Sequence, residues 1–305
     1  MDEFKYFQPP AQSHYCLLAS SRRIVVLGKT GAGKSSLANT VFGETVFKTD
    51  DGPNSGTSKC QAETKSVNGR RITWVDTPGF FDTEKSEERL KPEILKCITE
   101  CAPGPHAFLI VLQMQKYTEQ EKDIINKLQQ YFSKDALKYA TVLFTYGDQL
   151  PEEMTIRQWV DQNAGLSDLV KKCGGRCHVI DNRHWKNNPQ DEYRNNKYQV
   201  KELLKTIDKM IEDNNGHYYT NEMLQECERQ ILQEGVKIKD SFPEMSQEAI
   251  RAQAKSAVLK RWVLAIVGVT AVVLLGIFLG GKKMKEGLTT ALVLVMGTEA
   301  GRAVT

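Results

Sequence analysis

The chain has 305 residues, enough for one large domain or two modest ones. Its 40% hydrophobic and 26% charged residues give the profile of an ordinary soluble globular protein. A formal net charge of +3 is too small to argue for a nucleic-acid partner, and none is expected. Residues 1–21, with Pro, Gln and Ser, read as a flexible lead. They carry acidic residues and no apolar core, so no secretory signal is expected there.

Ile24–Leu27 is a short apolar, β-branched run and reads as a buried strand; Ser35–Phe42 follows as a helix. Ile72–Val75 is a second strand and Ala107–Leu112 (AFLIVL) a third, apolar throughout and so buried on both faces. Thr118 and Glu121 form a capping box. They open a helix whose Ile124, Ile125, Leu128, Tyr131 and Phe132 share one face. Thr141–Phe144 and Cys177–Ile180 are the fourth and fifth strands. Such alternation predicts an α/β domain over 22–215, with a mostly parallel sheet and helices on both faces.

Residues 216–260 read as a helical extension, with an apolar stripe of Met223, Leu224, Cys227, Ile231 and Leu232. The stripe either packs back on the domain or binds a partner helix. Trp262–Gly281 (WVLAIVGVTAVVLLGIFLGG) carries no charge, and twenty residues of helix span about 30 Å, the thickness of the hydrocarbon core of a bilayer. Lys260, Arg261, Lys282, Lys283 and Lys285 flank it. The reading is one transmembrane helix over 261–282, single-pass and C-terminally anchored, followed by a short tail over 283–305. Gly276 and Gly280 within it form a GxxxG pair, a possible helix–helix contact. Leu288–Met296, also apolar, is too short to span.

The seven cysteines, Cys16, Cys60, Cys97, Cys101, Cys173, Cys177 and Cys227, are an odd number, which points to a reducing compartment. Cys97/Cys101 and Cys173/Cys177 have a four-residue spacing, so a zinc site is the alternative to ordinary reduced thiols.

Gly28-Lys29-Thr30-Gly31-Ala32-Gly33-Lys34-Ser35 fits GxxxxGK[ST] between a strand and a helix. The expected fold is that of a P-loop NTPase, read with the motifs below as a G domain. Its backbone N–H groups, with Ser36 at the helix start, would cradle phosphates; Lys34 would reach the β- and γ-phosphates and Ser35 would ligate Mg²⁺. Asp76-Thr77-Pro78-Gly79 ends the second strand, Asp76 placed to hold the metal through water and Gly79 to offer its N–H to the γ-phosphate. Thr145-Tyr146-Gly147-Asp148 ends the fourth strand where common GTPases carry NKxD. An Asp there accepts hydrogen bonds from guanine N1 and N2, which adenine cannot supply. The other reading of Asp148 is a turn residue. Asn182 sits where the last base-contacting loop belongs, although Asn is also a good turn residue.

These residues together resemble the GTPases of immunity-associated proteins, the GIMAP family. Residues 102–112 (APGPHAFLIVL) are similar to that family's signature box, and 215–223 to the segment after its last G-domain helix. Ser55–Cys60 looks like its switch I, which implies that Thr57 is the metal-sensing threonine. The resemblance covers about residues 22–235. It implies a septin-like G domain that binds GTP and GDP with Mg²⁺, dimerises or oligomerises across its nucleotide face, and has an immune or stress-defence role. Anchored members sit on the cytosolic face of internal membranes, and that location is expected here. Phe80 follows Gly79 where Ras-type enzymes place a water-orienting Gln, so intrinsic hydrolysis is expected to be slow. His106, in the signature box, reads as structural rather than as a general base. Two alternatives stay open: a GTP-binding scaffold with no useful turnover, and an ATP-using P-loop enzyme.

Overall fold

The computed structural model describes residues 21–49, 59–79, 86–115, 119–187, 191–266 and 269–280. In chain order the elements are β1 (Ser21–Leu27), α1 (Lys34–Phe42), β2 (Gln61–Val67), β3 (Arg70–Asp76), α2 (Glu87–Cys101) and β4 (Ala107–Gln113). They continue with α3 (Glu119–Tyr131), α4 (Lys134–Leu137), β5 (Ala140–Thr145), α5 (Ile156–Asp161), α6 (Ala164–Lys172) and β6 (Cys177–Val179). Among the described residues these are followed by α7 (Asn196–Asp213), α8 (Glu222–Ser241), α9 (Gln247–Ala265) and α10 (Ala271–Phe278).

The sheet order is β2-β3-β1-β4-β5-β6. All pairs are parallel except β2 with β3. Side chains alternate across a strand, so β1 feeds both cores. Ile24 and Val26 join Leu37, Val41, Trp74, Leu109 and Leu203 on the face covered by α1 and α7. Val25 and Leu27 join Leu95, Ile98, Phe108, Leu128 and Leu169 on the opposite face. The predicted strands at 24–27, 72–75, 107–112 and 141–144 all fall inside observed ones. β2 was not foreseen. It reads QAETKSV, pairs on one side only among the described residues, and exposes Gln61, Glu63, Thr64 and Ser66, so it lacks the apolar pattern that betrays a buried strand. The helix foreseen from residue 118 runs from Glu119, with Ile125, Leu128 and Tyr131 buried; Thr118 and the side chain of Glu121 lie outside the described residues.

The extension packs back on the domain. Leu224, Cys227 and Ile231 of α8 and Ala254, Val258 and Trp262 of α9 join the core that holds α2. Trp262 Nε1 donates to Gln230 Oε1 at 3.1 Å.

The expected transmembrane helix is corrected here. Residues 262–281 do not form one helix: α9 ends at Ala265, and α10 starts after Thr270, whose hydroxyl accepts from the N–H of Val273 at 3.3 Å. Among the described residues, no helix is long and apolar enough to cross a membrane. α10 is instead part of the core, with Leu274 and Phe278 fully buried and Phe278 edge-on to Phe108 at 6.4 Å. Its C-terminal carbonyls have partners: Asn221 Nδ2 donates to Ile277 O at 2.9 Å, and Ser133 N–H to Leu279 O at 3.3 Å. The GxxxG reading is corrected with it. A Cβ on Gly280 would meet Tyr219 Oη at 2.3 Å and Ser133 Oγ at 2.8 Å, so this glycine admits neighbours from its own chain. Residues 283–305 lie outside the described residues.

Candidate functional site

The site gathers at the C-terminal ends of β1, β3 and β5. Gly33 precedes α1 with φ 80°, a left-handed conformation that lets the loop turn directly into the helix. Lys34 is buried, and its ammonium donates to the carbonyls of Gly28 at 3.0 Å and Lys29 at 2.9 Å, closing the loop over itself. Ser35 Oγ donates to Asp76 Oδ2 at 2.5 Å, which joins the first helical turn to the end of β3. Asp76 is fully buried. Burial pushes its carboxyl above the usual range, against the opposing pull of Lys34 and Ser35. Its Oδ1 has no hydrogen-bond partner among the described residues. A buried carboxylate with one orphaned oxygen beside a serine hydroxyl is a donor set for a hard divalent cation such as Mg²⁺. Gly79 packs against Thr30, whose hydroxyl is also buried and has no hydrogen-bond partner among the described residues.

The turn after β5 is tied to the phosphate loop. Thr145 Oγ1 donates to Ala32 O at 2.9 Å, a bridge made by a hydroxyl where the common motif has an Asn side chain. Tyr146 has φ 60°, unusual for a residue other than glycine. Gly147 lies under the Trp185 ring, and a Cβ there would come within 2.7 Å of it. Asp148 is exposed; partial burial, then the neighbouring Asp181 carboxylate, push its pKa upward.

Asp181 is the residue that sequence reasoning missed. It is buried, and it accepts from the N–H groups of Arg183 at 2.8 Å, of His184, and of Asp148 at 3.4 Å. Burial alone would raise its pKa, but these donors outweigh it and hold the carboxylate below the usual range. It thereby fastens the turn carrying Asp148 to the loop after β6. The available signal was an Asp at a strand end, the residue that bonds N–H groups two and three positions on. Asn182 points to the phosphate loop: its Oδ1 accepts from Thr40 Oγ1 at 2.8 Å, and its Nδ2 lies 3.5 Å from Gly33 O. Gly33, Ser36, Thr40, Tyr146, Asn182 and Arg183 line a cleft of about 1220 Å³.

Of the sequence-predicted residues, Gly28–Ser36, Asp76, Gly79, Thr145, Asp148 and Asn182 thus come together. Thr57 and Phe80 lie outside the described residues. His106 lies at the opposite end of the sheet, before β4, where its Nδ1 accepts from Arg23 N–H at 2.9 Å. Burial, then Arg23 and Arg22, push its pKa down to about 3, so it is a neutral packing group. Among the described residues, no three His, Cys, Asp or Glu side chains are grouped to hold a metal.

Residues 22–238, most of the chain, match the AIG1 family. Immune-associated nucleotide-binding protein 8 of Arabidopsis thaliana is 32% identical over 267 residues, 85% of this chain and 69% of that protein. GTPase IMAP family member 8 of Homo sapiens is 29% identical over 202 residues, 66% of this chain and 29% of that much longer protein. A crystal structure of a dimerization-deficient mutant of Toc33 from Arabidopsis thaliana superposes with a TM-score of 0.50 at 21% identity, covering 64% of this chain and 85% of that one. At that identity the likeness concerns the fold alone.

Proposed function

The chain belongs to the AIG1 family, and on that premise we propose that it binds guanine nucleotides and works as a slow GTP-hydrolysing switch or scaffold. The observation that carries the reading is the contact of Ser35 Oγ with the half-satisfied, buried carboxylate of Asp76, beside an ammonium held by loop carbonyls. Lys34 leaves the carbonyls of Gly28 and Lys29 for the β- and γ-phosphates when nucleotide enters. Ser35 and Asp76 would hold Mg²⁺, which would screen the phosphate charge and orient the terminal group, and Thr57 is the metal-sensing threonine that the resemblance implies. Gly79 donates its N–H to the γ-phosphate, so its loop senses hydrolysis. Asp148 accepts from the guanine base while Asp181 holds its turn in place. No water-orienting Gln follows Gly79, which supports slow turnover and completion of the site by a second copy across the nucleotide face.

A cytosolic setting is proposed on chemistry: it supplies GTP and keeps thiols reduced. The cytosolic face of an internal membrane is proposed on the resemblance to anchored family members. The names of the relatives support an immune role.

Asp148→Asn tests the base reading. The variant is expected to lose guanine affinity and gain xanthine affinity, because the xanthine 2-carbonyl accepts from the Asn amide. Competition of GTP, XTP and ATP against a fluorescent GDP checks this. Unchanged guanine preference in the variant would remove Asp148 from the site. Displacement of the label by ATP as well as by GTP would favour the adenine-nucleotide alternative.

A further inference from the structure

We propose that Cys60 and Cys97 are a dithiol site that a peroxide oxidises to a disulfide, joining the start of β2 to α2. The two sulfurs lie 2.6 Å apart, both side chains fully buried. A second contact fixes the same juxtaposition: the backbone N–H of Cys60 donates to the carboxylate of Glu93, one turn before Cys97 on α2. Cys101, one turn further along, directs its thiol to Ile98 O at 3.5 Å, so the helix presents Cys97 to Cys60.

Burial pushes the Cys97 thiol well above the usual range, which keeps it unreactive while the core is closed. Cys60 has a route out. It leads into β2, the polar edge strand bonded on one side only, and such strands open at lower cost than central ones. In the opened strand the Cys60 sulfur attacks the peroxide: the O–O bond breaks, sulfur takes one oxygen as a sulfenic acid, and water leaves. Before the strand recloses, the Cys97 sulfur, uncovered with it, displaces that oxygen as a second water and the S–S bond forms, with its thiol proton carried off in that water. The two sulfurs together lose two electrons and the peroxide gains them.

The position gives the bond a consequence, which rests on the reading of the site as a guanine-nucleotide switch. Cys60 follows Thr57 by three residues, and α2 follows the Asp76–Gly79 segment in the chain. Gln61, the residue after Cys60, pairs with Asp76 across β2 and β3, so the disulfide holds that end of the sheet to α2 and retards nucleotide release.

The test uses the full-length chain. After hydrogen peroxide, remaining thiols are alkylated in denaturant and the peptides are mapped by mass. The expected result is a Cys60–Cys97 peptide pair two hydrogens lighter than its reduced form, reversed by dithiothreitol and absent in Cys60→Ala. Release of fluorescent GDP from the oxidised protein is expected to slow by roughly fivefold and to recover on reduction. Cys60 and Cys97 both alkylated after peroxide, either one found as sulfinic acid, or a bond from either to Cys101 overturns the dithiol. A cross-linked protein that releases GDP at the reduced rate overturns its coupling to the switch. A chain that forms the bond yet binds no guanine nucleotide in either state overturns the reading of the site and upholds the dithiol.

Discussion

Lys34→Ala is expected to lower nucleotide affinity by roughly a hundredfold, about 2.7 kcal/mol. The ammonium is buried among loop carbonyls, aimed at the place where terminal phosphates belong, whereas the loop's other cation, Lys29, is only half-buried. Removal takes away charge-assisted hydrogen bonds that water does not replace in so enclosed a loop. Titration of fluorescent GDP and GTP checks the affinity. The same truncation also deprives Gly28 O and Lys29 O of a donor, so a thermal melt must accompany it. A variant that melts near the parent and still binds at parental affinity would end the phosphate-loop reading. Loss of GTP and GDP binding together, with the melt preserved, is the expected outcome.

Phe278→Ala is expected to destabilise the domain by about 3–5 kcal/mol, the cost of emptying a fully enclosed aromatic site. Set against a total of about 5–15 kcal/mol for a folded domain, this is enough to lower the melting temperature by about 10 °C. The ring lies edge-on to Phe108, and Asn221 pins the carbonyl of the preceding residue, so the site has little freedom to collapse. Urea titration of the full-length chain checks it, with Leu264→Ala as control, since Leu264 is 78% exposed. Equal stability of Phe278→Ala and the parent would mean that α10 does not belong to the core.

Much of the site was legible because its chemistry demands particular residues in a row. The phosphate loop needs glycine at a left-handed position, a cation and a hydroxyl, and the run from Gly28 to Ser35 has no other common use. β4 was legible because only a strand enclosed on both faces reads AFLIVL. β2 was illegible for the converse reason: a polar edge strand leaves no apolar period. Asp181 escaped because its role is second-hand, exerted on backbone N–H groups that the sequence brings from different loops. The C-terminal stretch was misread because apolar side chains answer equally to lipid and to protein interior. What separated the two was local: Thr270 stands before an apolar turn and caps a new helix there.

The indole of Trp185, laid over Gly147, gives the protein an optical readout of the turn that carries Asp148. The sequence holds four tryptophans. Trp74 and Trp262 are sealed in the two cores, and Trp159 stacks edge-on with Phe144. Trp185 packs directly on Gly147, in the turn that carries Asp148. Any guanine that settles against that turn alters the polarity around this ring, and its emission shifts without a dye on nucleotide or protein. Stopped-flow traces of intrinsic fluorescence therefore give association and release rates for unlabelled GTP and GDP directly. Trp185→Phe silences the signal while keeping an aromatic cover over the glycine.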